Sequence, residues 1–342
     1  MRTNIQDHAG TPVSTETRFA APHVRSLAWD GDELVDWAAG GVRYGLQGEL
    51  HDPCVRYAYS FDMAVALEDS GYSVLYKRLG TKGLVLKDGR VLRDINRAFY
   101  HAENYEYPIA LFRLPSGRPA IVHCPDEYCR LRIDDLETGE LIATASEDAG
   151  DFFHSRLSVS PDGRWLVSAG WMWHPVDDVA YYDLHAALAD GSTLDTATRE
   201  LDVLTDRGNA AGFDRRSRVV VTADMTGFDD DETGVEGGPC VVRLAAGTGK
   251  PPERIPVDID SVFMAVGDDH LLLLGGHPRL LSLATGQVVA EWPDIKTVVP
   301  CCAIQSSGHE WTHFAIDVPR ARIAITHDEQ VTVIAFDVPG LD

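Results

Sequence analysis

Positive charge is scarce in this 342-residue chain, where 30 Lys and Arg stand against 53 Asp and Glu for a formal net charge of −23. A surface that acidic repels phosphate backbones, which argues against nucleic acid and anionic membranes as partners. Long apolar runs are also missing. The longest, HLLLLGG from His270, suits one buried strand and falls far short of a membrane span. The opening MRTNIQDHAGTPVSTETR lacks the apolar core of a secretion signal. That absence predicts a cytoplasmic setting in which the six cysteines remain reduced thiols. None of them forms a CxxC pair, and adjacent Cys301 and Cys302 could not bridge each other without strain.

Convincing helical periodicity is lacking too, apart from DLHAALADGSTLD, which reads as a helix of one or two turns. What the chain has instead is repetition. An apolar strand, a polar turn and a second apolar strand ending in small residues recur from near Val24, Phe61, Pro108, Ser155, Ala210, Ser261 and Thr312. Several copies continue into a third strand and a DLxTG-like turn, as in CRLRIDDLETGELIATA. Asp162-Gly163 and Thr285-Gly286 supply the backbone conformations that such tight turns require. Short strands in fours with tight turns describe the blades of an all-β, seven-bladed β-propeller. The last copy has three clear strands, so Ser14 to Ala20 is expected to lend the outer strand that closes the ring, after a flexible segment 1–13. The whole of 1–342 then forms one domain.

SPDGRWLVSAG and THDEQVTVIAFDV carry a resemblance to the WD40-like seven-bladed propellers of bacteria, and the likeness spans essentially the whole chain. The blades depart from the eukaryotic repeat, having no Gly-His and Trp-Asp pair. Propellers host scaffolds, lectins, lyases, oxygenases and hydrolases, so the resemblance implies a fold and leaves the activity to the site.

Propeller geometry turns loop position into location. Loops before the first strand and after the second share one face, here called upper, around the central channel. His23, His123, His154, His313 and His327 all reach that rim by register. So do Tyr105, Tyr107, Phe153, Trp171, Trp173, His174, Asp224, the acidic run Asp229 to Glu232, Glu310 and Trp311. Most long loops lie above and most lower turns are tight, which marks the upper face as the functional one.

Two functions suit those residues. A binding module would take a small molecule, peptide or protein against Trp171, Trp173, His174, Tyr105, Tyr107, Phe153, Asp224 and Trp311, aromatics lining the pocket and a few polar groups orienting the ligand. The alternative is a lyase, isomerase or oxygenase using His154, His313, His123 and Glu310 as acids, bases or electrophiles. In that case a divalent metal would sit on His23, His154, His313 and His327, because neutral imidazole is a good ligand for zinc, iron or copper. Cys301 and Cys302 beside His309 and His313 offer a nucleophile and base. A purely structural scaffold would need only the ring.

Overall fold

The computed structural model describes residues 12–173, 176–197, 210–224, 238–257 and 262–338. Its strands form seven antiparallel sheets, six of four strands and one of three. Innermost strands Ala28–Asp30, Met63–Leu67, Ile109–Arg113, Leu157–Val159, Ala210–Phe213, Phe263–Val266 and Phe314–Asp317 open successive blades. The seven-bladed propeller is therefore the fold.

Ring closure follows the sequence expectation to within one residue. Strand Val13–Ala20 pairs antiparallel with Gln330–Asp337, from Val13 opposite Asp337 to Ala20 opposite Gln330. It completes the last blade in the order outer N-terminal strand, Gln330–Asp337, Arg322–His327, Phe314–Asp317. Two side chains fasten it to the preceding connection: Trp292 Nε1 donates to Glu16 Oε1 at 2.7 Å, and Arg18 meets Asp294 at 2.7 Å.

Blade four shows three strands among the described residues, and 198–209, which follow its helix, lie outside them. Its described strands are Leu157–Val159, Trp165–Met172 and Val176–Asp183, followed directly by helix Leu184–Ala189 and a 3-10 turn Gly191–Leu194. Asp183 starts the helix, its carboxylate accepting from the His185 and Ala186 backbone N–H groups. Leu184, Ala187 and Leu194 are buried in the apolar layer shared with blade three.

The core is divided among the blades. Seven apolar layers lie one between each pair of neighbours, for example Val220 and Val241 of blade five against Leu271, Leu273 and Leu281 of blade six. At the axis seven innermost strands converge. Ala64, Ala66, Leu111, Ala211, Phe314 and Ile316 are among the residues that line the channel there.

Deleting residues through Ala20 should expose the Gln330–Asp337 edge and leave the ring open. The expected result is a chain that elutes as oligomers and loses its cooperative thermal transition by circular dichroism. A monomer with the full-length midpoint would show that the closing strand is dispensable.

Candidate functional site

The upper face carries a dense aromatic cluster built on blades three and four. Phe153 is sandwiched between Tyr128, with centroids 4.0 Å apart at 17°, and Trp171, 3.9 Å apart at 12°. Trp173 stands edge-on to both Phe153 and Trp171, and Tyr105 meets Phe153 edge-on at 5.6 Å. The backbones of Phe153 and Trp171 exchange hydrogen bonds of 2.9 and 3.2 Å. Gly170 permits that approach, since a Cβ there would lie 2.0 Å from the Phe153 carbonyl oxygen. Arg97 anchors the neighbouring loop from beneath. Its Nη2 donates to the carbonyls of Ala102 and Tyr105 at 2.7 and 2.9 Å, and its guanidinium lies over the Tyr105 and Tyr107 rings.

This packing corrects the aromatic part of the ligand set. Phe153, Trp171, Tyr105 and Tyr107 are buried and consumed in holding loops together. Trp173 is 40% exposed and presents a free face, together with the unforeseen Phe99 and Tyr100. Trp311 is half-buried and stacks on His309. Asp224 ends strand Val219–Asp224 opposite Pro239, away from the cavities described below. His174 and the run 229–232 lie outside the described residues.

Most of the histidines belong to the blades. His123 is buried, with Nε2 3.0 Å from Asp134 Oδ2, and Arg132 donates to the other oxygen of that carboxylate at 2.7 Å. Burial lowers the His123 pKa, outweighing the carboxylate. His154 Nδ1 lies 3.1 Å from Ser168 Oγ, its ring is enclosed by Phe152 and Tyr182, and burial pulls its pKa down to about 3. His327 Nε2 lies 2.7 Å from Thr332 Oγ1 on the adjacent strand. The expected metal set His23, His154, His313 and His327 is thus not gathered. Among the described residues no three His, Cys, Asp or Glu side chains are placed to hold a metal ion.

Sequence reasoning also missed that His309, Glu310 and His313 stand at the His-Glu-x-x-His spacing. That spacing brings its histidines together on a helix. Here residues 309–313 are irregular, Glu310 is exposed, and His309 turns to Trp311. The cysteine nucleophile fares no better, because burial raises the Cys302 thiol to about 11 and its Sγ contacts the Ile304 carbonyl oxygen at 2.7 Å.

The concave features lie along the axis. The connection from strand Gln287–Glu291 of blade six to Phe314–Asp317 of blade seven crosses the channel mouth to the opposite side of the ring. There Ala303 N–H donates to the Asp177 carboxylate at 3.0 and 3.2 Å, Gln305 N–H to the Asn104 carbonyl at 2.6 Å, and Ile304 bridges Tyr105. Gln305 of this strap is buried, and neither end of its side-chain amide has a hydrogen-bond partner.

Under the strap lies a cavity of about 270 Å³. Its walls are largely apolar and include Leu27, Met63, Ala169, Ala211, Val262 and Phe314, with Val299 and Pro300 of the strap. Four ionisable side chains join them: Arg78, Glu106, Arg156 and His313. Arg156 Nε donates to the Ala169 carbonyl at 2.9 Å, whereas its Nη2 is buried without a partner. Such a group costs about 1–3 kcal/mol unless something satisfies it. Arg78 N–H donates to Asp62, yet its guanidinium forms no ion pair among the described residues. Burial, and then the Arg78 charge, lowers the His313 pKa to about 4. Arg78 and His313 also line a 670 Å³ groove on the rim, whose walls include His23, Asp62, Lys77, His309, Glu310 and Trp311. Of the foreseen catalytic residues, His313 alone reaches the cavity and Glu310 reaches the groove, as does His23 of the foreseen metal set.

Solved structures resemble this chain over nearly its full length. Hydrazine synthase of Kuenenia stuttgartiensis aligns at TM-score 0.58 with 14% identity, covering 98% of this chain and 100% of that one. A catalytically inactive virginiamycin B lyase of Staphylococcus aureus, solved with quinupristin, aligns at 0.55 with 8% identity, covering 94% and 99%. A streptogramin B lyase aligns at 0.54 with 6% identity, covering 95% and 98%. These likenesses show the propeller fold and no more. No protein-family model and no curated protein matches the chain, so the WD40 resemblance gains no support beyond the fold. No helix among the described residues is long and apolar enough to cross a membrane.

His154 makes a pH test. Its folded-state pKa lies below the ordinary 6.5, so the stability it contributes is present above 6.5 and lost as pH falls toward about 3. Each pH unit in that window costs the fold about 1.4 kcal/mol. In urea unfolding, lowering the pH from 6.5 to about 4.5 should cost the wild type about 2 kcal/mol more than His154→Gln. Equal losses would contradict a neutral, buried imidazole.

Proposed function

We propose that the protein is a binding propeller that takes a small organic molecule into the channel cavity from its upper face. The observation that carries this reading is the convergence of Arg78, Arg156, Glu106 and His313 in an otherwise apolar cavity roofed by a strap. Apolar walls with a few placed polar groups are the usual composition of a ligand site. The adjoining groove shares Arg78 and His313 with the cavity and supplies the approach. A peptide or protein would need a broader surface, and the buried state of Phe153, Trp171, Tyr105 and Tyr107 removes most of the aromatic face that one would grip. Six free cysteines support a reducing, cytoplasmic setting.

A second reading draws on His313. An imidazole with its pKa lowered to about 4 is neutral near pH 7, and Glu106 lines the same cavity. Together they offer a general base and a carboxylate to a bound substrate, which is the chemistry of a lyase or isomerase. The lyases among the structural neighbours agree with that reading without assigning it.

Ala211 lies on the channel wall beside the layer between blades four and five, so Ala211→Phe should fill the cavity, with the thermal midpoint checking that the variant still folds. In ligand-observed NMR, small apolar fragments should bind the wild type and not this variant. Binding of the same fragments to both would move the site elsewhere on the molecule, and binding to neither would remove the small-molecule reading.

A further inference from the structure

We infer that the ligand of the channel cavity is a small apolar monocarboxylate, its carboxylate taken by Arg156 and Arg78 and its hydrocarbon body by the alanine- and valine-lined wall. The inference rests on the binding function proposed above and names its chemistry.

Charge leads to that class. A chain with a net charge of −23 surrounds almost every arginine with candidate carboxylates, and several interior arginines are taken up by protein groups. Arg97 is taken up by carbonyl oxygens and tyrosine faces, Arg322 by Asp317 at 2.8 Å, and Arg218 by Asp214 at 2.6 Å. Arg156 and Arg78 differ in lining the cavity; neither forms an ion pair among the described residues, and Arg156 Nη2, like Arg97 Nη1, is buried without a hydrogen-bond partner. Asp177 acts on Arg156 electrostatically, but its carboxylate receives the Ala303 N–H and does not line the cavity.

The groups that do line it are two guanidiniums, one carboxylate and one neutral imidazole, leaving one positive charge to balance. A single carboxylate balances that charge, whereas a phosphate dianion would leave an excess. Guanidinium groups also match carboxylate geometry with paired N–H donors. Beyond these groups the wall offers only the Ser26 and Thr312 hydroxyls, too few for a sugar or nucleotide, and both already accept backbone N–H groups. Leu27, Met63, Val262, Val299, Phe314 and Ile316 favour an alkyl or aryl body.

Calorimetric titration of the full chain with benzoate and hexanoate, against the isosteric benzyl alcohol and hexan-1-ol, tests the assignment. Near neutral pH the carboxylates should bind at least about tenfold more tightly than the alcohols. Arg156→Met should abolish that preference while leaving alcohol affinity within about twofold. Alcohols binding the wild type as tightly as carboxylates would overturn the anion assignment and leave the cavity reading standing. So would phenyl phosphate outcompeting benzoate, or an unchanged carboxylate preference in Arg156→Met. Failure of all four probes to bind would overturn both readings, and the wild-type comparison holds even if the variant does not fold.

Discussion

Convergence of seven sheets on a common axis is the constraint from which the rest follows. Their innermost strands divide their side chains between the layers that flank each blade and the channel itself. Most of the apolar bulk lies in the seven layers between blades, where burial stabilises the ring by roughly 25 cal/mol for each Å² of apolar surface removed from water. What remains at the axis is a channel that the backbone cannot fill. Side chains projecting into it from the loops have few protein partners, and Arg78 and Arg156 occupy that position.

The closing strand and the strap make this channel a site. Pairing of Val13–Ala20 with Gln330–Asp337 fixes the ring and hence the width of the channel. The blade six to seven connection then crosses the mouth and fastens to Asn104, Tyr105 and Asp177. Its anchoring points are the loops that the aromatic stack of Tyr128, Phe153 and Trp171 holds rigid. The aromatics therefore serve the site at one remove: they hold the surface on which the roof rests.

The ring was legible in the sequence because each blade repeats local information, namely an apolar strand, a tight turn and a second apolar strand ending in small residues. Even the closing strand could be placed, since the last copy ends one strand short. The short helix of blade four could be placed as well, since DLHAALADGSTLD opens on Asp183, whose carboxylate caps the first turn. The site was far less legible. Register puts a Cα on the upper face but does not say which way its side chain turns, and His123, His154 and His327 turn into their own blades. The arginines were passed over because an isolated Arg in a loop reads as a solvated charge. Only the strap, bonded to partners 126 residues away in sequence, shows that Arg156 is enclosed.

A crystal structure of the wild-type protein grown with benzoate tests the central claim most directly. The account predicts the ring of benzoate against Leu27, Ala211 and Phe314, and its carboxylate within about 3.2 Å of an Arg156 guanidinium nitrogen. Benzoate ordered instead against Tyr100 and Trp173, or nowhere in the channel, would contradict it.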